Sequence, residues 1–183
     1  MADKKIGILV GSLRRGSFSK KIAHHFIENA PEGYSLELVE IGQLEHYNQD
    51  FDEDGSPASY QPFREKIKSF DGVIFITPEY NRSVPGVLKN ALDVASRPYG
   101  QSSWDGKPAL VVSSSISNVS GFGANHHLRQ SLVFLNMPTL QQPEVYIANV
   151  QNLFDEDGKL IKEDSAKFLS DVLTAYTAFV NKF

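Results

Sequence analysis

Two short segments hold the residue types best suited to chemistry. One is Pro78-Glu79-Tyr80-Asn81-Arg82-Ser83-Val84-Pro85-Gly86. The other is Gly11-Ser12-Leu13-Arg14-Arg15-Gly16-Ser17-Phe18-Ser19-Lys20. Prolines, a glycine and an asparagine restrict the backbone of the first, so it is expected to be an ordered loop. It follows the apolar run Val73 to Ile76 and precedes a helical pattern. That places it at a strand-to-helix junction, where an open α/β sheet binds its ligand. A stiff loop there, with one flat aromatic and bare peptide groups, suits a planar polar ring. The second segment brings hydroxyls, glycines and a helix N-terminus together after the first strand. Free N–H groups and the positive end of a helix dipole make an anion site. Arg14 and Lys20 add charge. The segment lacks Gly-x-x-x-x-Gly-Lys-Ser/Thr, which argues against ATP hydrolysis, and it lacks Gly-x-Gly-x-x-Gly, which argues against a dinucleotide. A terminal monoester phosphate suits it better. Ser17 or Ser19 alone would read as a helix cap. Ser12, Arg14, Ser17 and Ser19 together favour the anion site.

These loops need strands and helices to hold them. Strand-like runs occur at Ile6 to Val10, Leu36 to Val39, Val73 to Thr77, Ala109 to Val112 and Val145 to Ala148. Helical stripes lie near 18–30, 60–69, 86–96, 123–136 and 164–182. A polar stretch near 43–59 contains Gly55 and Pro57 and reads as a loop. Five strands alternating with five helices predict an α/β fold with a parallel sheet covered on both faces. Right-handed crossovers and the strand count favour the flavodoxin-like doubly wound order 2-1-3-4-5. No linker is evident, and residues 1–183 are expected to form one domain.

Composition narrows the function. The net charge is -4, with 41% hydrophobic and 22% charged residues. A nucleic-acid binder would usually show a basic face. There are no cysteines, which excludes disulfides, thiol catalysis and cysteine-ligated metals. No apolar run nears the roughly 18 residues of a membrane span. The start, Met1-Ala2-Asp3-Lys4-Lys5, runs into a strand with no signal peptide, so a cytoplasmic protein is expected.

Other candidates carry less. Phe-Asp-Glu-Asp-Gly occurs at 51–55 and again at 154–158. Asp50, Asp52, Asp54 and Gly55 match half a calcium loop, but Gln61 stands where the bidentate Glu belongs. Solvated acidic turns are expected, and no metal. His126 and His127 are adjacent and point apart on a helix. Lys89 and Asp93 are spaced as a surface pair. Trp104 either covers the ring site or packs at a subunit contact.

With both loops quoted, a resemblance stands out. Gly11-Ser-Leu-Arg-Arg-Gly-Ser17 and Pro78-Glu-Tyr-Asn81, with Ser83-Val-Pro-Gly86 and Leu88-Lys-Asn-Ala-Leu-Asp93, resemble the NAD(P)H-dependent FMN reductase family. The nearest likeness is to its quinone, chromate and azo-dye reductase branch. It runs from about residue 4 to about 150. The resemblance implies that Ser12, Arg14, Ser17 and Ser19 grip the FMN phosphate and that Phe18 beside them also contacts the cofactor. It implies that Pro78, Glu79, Tyr80 and Asn81 pass along the isoalloxazine, mainly through backbone and shape. Ser113, Ser114 and Ser115 after strand four would complete the ring site. Ser19 stands where relatives commonly have Asn, and the run after strand four is serine-rich where relatives are glycine-rich.

The implied activity is oxidation of NADPH or NADH through bound FMN, with quinones, azo or nitro compounds or chromate as acceptors, in a ping-pong cycle. No side chain need act as acid or base. Glu79 then reads as a backbone-contact position whose side chain bridges subunits. Arg82 lies near enough to the ring loop to meet a nicotinamide cofactor's phosphates or an anionic substrate, though a solvent-facing arginine is its simplest reading. The helix near 86–96 would lie at a dimer interface, giving a homodimer or a dimer-of-dimers tetramer. A flavodoxin-like electron carrier is the alternative, although flavodoxins are usually more acidic. A flavin-free scaffold of the same fold is another. A response-regulator-like signalling domain would need an aspartate cluster after strand one, where this chain has Ser12, Arg14 and Arg15.

Overall fold

The computed structural model describes residues 4–183, so Met1-Ala2-Asp3, part of the start on which the expectation of no signal peptide rests, lies outside the described residues. The elements in chain order are β1 (Lys4–Val10), α1 (Phe18–Glu28), β2 (Tyr34–Val39), α2 (Asp50–Glu53), α3 (Tyr60–Lys68), β3 (Gly72–Pro78), α4 (Gly86–Ala95), β4 (Ala109–Ser114), α5 (Phe122–Phe134), β5 (Val145–Ile147) and α6 (Glu163–Val180). A single 3-10 turn, Val150–Asn152, follows β5. All five strands pair in parallel, in the order β2-β1-β3-β4-β5.

The alternation of side chains along each strand divides the core in two. Ile6, Ile8 and Val10 of β1, with Ile74 and Ile76 of β3, meet Ile22 and Phe26 of α1 and Leu169, Leu173 and Tyr176 of α6. Leu9, Val73, Phe75 and Val111 point the other way, against Phe63 and Ile67 of α3, Leu88 and Leu92 of α4 and Leu128 of α5. Strands buried on both faces read as continuous apolar runs. Each Leu, Ile or Phe so buried contributes roughly 1.5–3 kcal/mol. Tyr176 is wholly buried, and burial pushes its phenol well above its ordinary pKa. It stays neutral and donates to the Val73 and Pro108 carbonyls at 3.0 and 2.9 Å.

The polar stretch 43–59 holds the short helix α2. Its Asp52 accepts from Tyr47 Oη at 2.8 Å and pairs with Arg64 at 3.5 Å. The repeated Phe-Asp-Glu-Asp-Gly thus resolves into two anchored acidic turns. Phe51 packs edge-on to Tyr60, and Phe154 stacks on Phe18.

Trp104 neither covers the ring loop nor sits at the surface. It is fully buried, and its Nε1 donates to Leu92 O at 2.9 Å. The reason is the C-terminus of α4, whose last carbonyls need donors. Trp104 serves Leu92, Ser96 Oγ serves Asp93, Arg64 Nε serves Val94 and Ser103 N serves Ala95. This fixes α4 below the ring loop. Among the described residues no helix is long and apolar enough to cross a membrane.

Candidate functional site

Three loops leave the C-terminal edge of the sheet side by side, after β1, β3 and β4. The first turns into α1 at Ser17, which is extended (φ -69, ψ 121) and caps the helix by accepting Lys20 N–H at 3.2 Å. Ser12, Ser17 and Ser19 are buried, while Arg14 is exposed. Among the described residues the backbone N–H groups from Ser12 to Ser19 find no acceptor within the protein. Unpaired donors, three hydroxyls and the positive end of α1 form a donor set that suits a phosphate monoester. Ser17 therefore serves as both cap and cleft wall.

The loop after β3 is tighter than its composition implied. Tyr80 and Ser83 exchange backbone hydrogen bonds at 3.1 and 3.0 Å. Between them Asn81 (φ 51) and Arg82 (φ 65) are both left-handed, as a two-residue type I′ hairpin demands. Asn tolerates that conformation and Arg does so only at some cost. Pro85, extended, leads into α4. The first two loops touch at Gly11, where an added Cβ would lie 3.1 Å from both Pro78 Cδ and Pro85 Cγ.

The loop after β4 uses its serines as internal ties. Ser113 Oγ donates to Ser120 O at 2.9 Å and accepts from Asn125 Nδ2 at 3.2 Å, so it faces the protein rather than the cleft. Ser114 Oγ lies 3.4 Å from Ser19 Oγ, joining the third loop to the first. Ser115 N donates to Ile147 O, and Ser115 O accepts from Val150 N.

The loops enclose a cleft of about 220 Å³ lined by Ser12, Arg14, Ser17, Phe18, Ser19, Pro78, Glu79, Tyr80, Ser114, Ser115, Ile116 and Val150. Every expected cofactor contact is among them except Asn81, which stands exposed at the hairpin tip, and Ser113, which is buried and tied to Ser120 and Asn125. Ile116 and Val150 were missed. Val150 comes just after β5, so the end of the fifth strand was its one sequence signal. A wider depression of about 620 Å³ runs along α1 past His24, His25 and Asp157. None of the three strand-end loops reaches it. Among the described residues no three His, Cys, Asp or Glu side chains converge as a metal site.

The remaining candidates have plain positions. Tyr146 Oη donates to Glu144 at 2.9 Å and lies 3.0 Å from His126 Nε2. Burial, then the Glu144 carboxylate, pushes the Tyr146 phenol up. His127 points elsewhere, with Nδ1 3.0 Å from Ser83 Oγ. Lys89 and Asp93 pair at 2.7 Å on an exposed face, worth a few tenths of a kcal/mol. Arg82 reaches back to Glu79 Oε1 at 3.0 Å, and Glu79 Oε2 accepts the N–H of Ala124 at 3.1 Å.

A family model for NADPH-dependent FMN reductases matches residues 4–152. The chain belongs to this family. As a member of the FMN reductase family it is an oxidoreductase with FMN as cofactor and NAD(P)H as co-substrate. A quinone reductase from Pseudomonas putida is 51% identical over 178 residues, spanning 97% of this chain and 91% of the relative. A 2-hydroxy-1,4-benzoquinone reductase from Burkholderia sp. is 44% identical, spanning 96% of each chain. The solved structure of FerB, a flavoenzyme NAD(P)H:(acceptor) oxidoreductase from Paracoccus denitrificans, superposes with a TM-score of 0.89 at 37% identity over 98% of both chains. The flavodoxin-like sheet of this FMN reductase family member has the strand order expected from its sequence.

Proposed function

We propose that this protein is a quinone reductase that works by turns at one FMN held across the three strand-end loops. Bound there, FMN would supply the hydride chemistry that links a nicotinamide to an acceptor taken in turn in the same pocket. Ser12, Arg14, Ser17 and Ser19 bind the phosphate, using the unpaired N–H groups of the first loop and the dipole of α1. Phe18, Ser114 and Ser115 line the middle of the site. Pro78, Glu79, Tyr80 and the peptide groups of the hairpin flank the ring, and Asn81 supports them by holding the turn. No side chain acts as acid or base in the transfer. Tyr80 and Ile116 line the cleft and remain exposed (45% and 66%), so a flat apolar acceptor can stack there. Quinones fit best, with azo and nitro compounds and chromate as further acceptors.

The observation that carries this reading is a single cleft lined both by Ser17, Phe18 and Ser19 at the N-terminus of α1 and by Pro78, Glu79 and Tyr80 of the loop after β3. We also propose that the chain acts as one FMN-binding domain and pairs as a homodimer, or a dimer of dimers, through the face of α4 that bears Lys89 and Asp93. The need for NAD(P)H favours the cytoplasm. The alternative the sequence left open, a flavodoxin-like carrier, is disfavoured by the FMN reductase family membership. Steady-state NADPH and NADH oxidation by the FMN-loaded protein, run against quinones, dyes and chromate with the native mass measured alongside, separates them. A reductase turns over with quinones as its best acceptors, and a carrier shows no turnover with either nicotinamide.

A further inference from the structure

We propose that Glu79 is a positioning residue. Its carboxylate clamps the Tyr80–Ser83 hairpin onto the N-terminus of α5, and its charge sets how readily the neighbouring flavin takes electrons. The inference rests on the FMN reading of the cleft.

Helix α5 has Gly121 as its N-cap, a residue with no side chain to accept the helix's first N–H groups. Its first N–H groups therefore need an acceptor from elsewhere. Glu79 Oε2 supplies one from 45 residues away, accepting Ala124 N–H at 3.1 Å. This is the helix position that a local Ser or Asp cap would serve. A carboxylate suits it because the helix end is positive. The other oxygen, Oε1, accepts from Arg82 Nη1 at 3.0 Å.

Gly123 makes the close approach possible. An added Cβ there would lie 2.8 Å from Arg82 O and 2.9 Å from Glu79 Oε2. A second tie, Ser83 Oγ to His127 Nδ1 at 3.0 Å, holds the far side of the hairpin one turn along the same helix. The hairpin is thus fixed to α5 at both ends of its turn.

The two charges differ in exposure. The Glu79 side chain is 9% exposed and Arg82 74%. A shielded negative charge lining the ring site opposes added electrons more strongly than an exposed cation favours them. The helix end and Arg82 offset part of that charge. Glu79→Gln keeps an acceptor for Ala124 N–H and removes the charge. Glu79→Ala removes both. Arg82→Ala removes only the exposed counter-charge.

FMN dissociation constants by fluorescence titration, and FMN midpoint potentials by dye-coupled reduction, read these roles separately. Glu79→Gln is expected to bind FMN within about twofold of wild type and to have a raised potential. Glu79→Ala is expected to lose about tenfold in FMN affinity, the size of a lost charged cap. Arg82→Ala is expected to bind FMN normally with a lowered potential. It sits on the surface, so it tests the charge even if Glu79→Ala fails to fold. Unchanged potentials in both Glu79→Gln and Arg82→Ala would overturn the electrostatic role. Equal loss of affinity in Glu79→Gln and Glu79→Ala would overturn the clamp. Failure of the wild-type protein to bind FMN would instead remove the site reading itself, and this inference with it.

Discussion

Alanine at both Arg14 and Ser17 is expected to weaken FMN binding by about 10²- to 10³-fold, with little change in the rate at which the flavin still bound is reduced. The size follows from the contacts proposed. A hydrogen bond to a charged group contributes about 1.5–3 kcal/mol; because Arg14 is exposed, two such contacts at the low end of that range give roughly 3–4 kcal/mol, or two to three powers of ten. The rate is expected to be spared because the proposed site puts the phosphate at the end opposite the reacting ring. Ser17 also caps α1, so the double variant should lose about 1 kcal/mol of stability as well. Melting temperature separates that loss from the binding effect. Arg14→Lys should recover only part of the affinity, since an ammonium lacks the fork that grips two phosphate oxygens. Fluorescence titration gives the affinity and single-turnover mixing gives the rate. A large fall in rate with affinity intact would mean that the first loop touches the reacting end.

Gly11→Val should be more damaging still, and in a different way. Gly11 ends the first strand with its N–H bonded to Ile76 O at 2.9 Å. A Cβ there meets two rigid proline rings at 3.1 Å and Leu88 Cδ2 at 3.4 Å. Neither ring can rotate away as a long side chain would, so the strain is relieved by separating the loops after β1 and β3. Overpacking of this kind costs about 1–3 kcal/mol of stability. The loss of FMN affinity should exceed that, because phosphate and ring contacts must act on one ligand at a fixed spacing. Gly11→Ala should fall between wild type and Val. Gly86→Ala is the control: its added methyl meets nothing, and alanine favours the helix it begins. It should bind FMN normally and melt slightly higher. A Gly11→Val protein that folds and binds FMN like wild type would mean the two loops do not share one ligand.

The parts of this fold that were legible in the sequence share a physical cause. Val73 to Ile76 and Ala109 to Val112 are buried on both faces, so they read as unbroken apolar runs with turn residues between them. The loop after β1 stood out as a candidate anion site because hydroxyls and glycines cluster within one short segment, and its backbone N–H groups from Ser12 to Ser19 are unpaired within the described residues. What was hidden depended on distant partners. Trp104 was ambiguous because the carbonyl that holds it belongs to α4. The cap that Glu79 gives α5 was unreadable because Ala124 carries no signature of receiving it. The hairpin at 80–83 was half visible: Asn81 favours a left-handed turn, but Arg82 beside it does not. That turn also explains why Asn81 stands outside the cleft that Glu79 and Tyr80 line. In the serine run after β4, alternation sends Ser113 into the protein and Ser114 toward the first loop, a distinction that composition does not carry.

The most direct test of the central claim is anaerobic rapid mixing of the FMN-loaded protein with NADPH and, separately, with NADH, followed at the flavin absorbance band. The account predicts one FMN per chain, bleaching of the band by at least one nicotinamide, and full recovery of the band when a quinone is added. A protein that takes up no FMN, or whose bound FMN neither nicotinamide bleaches, would contradict it.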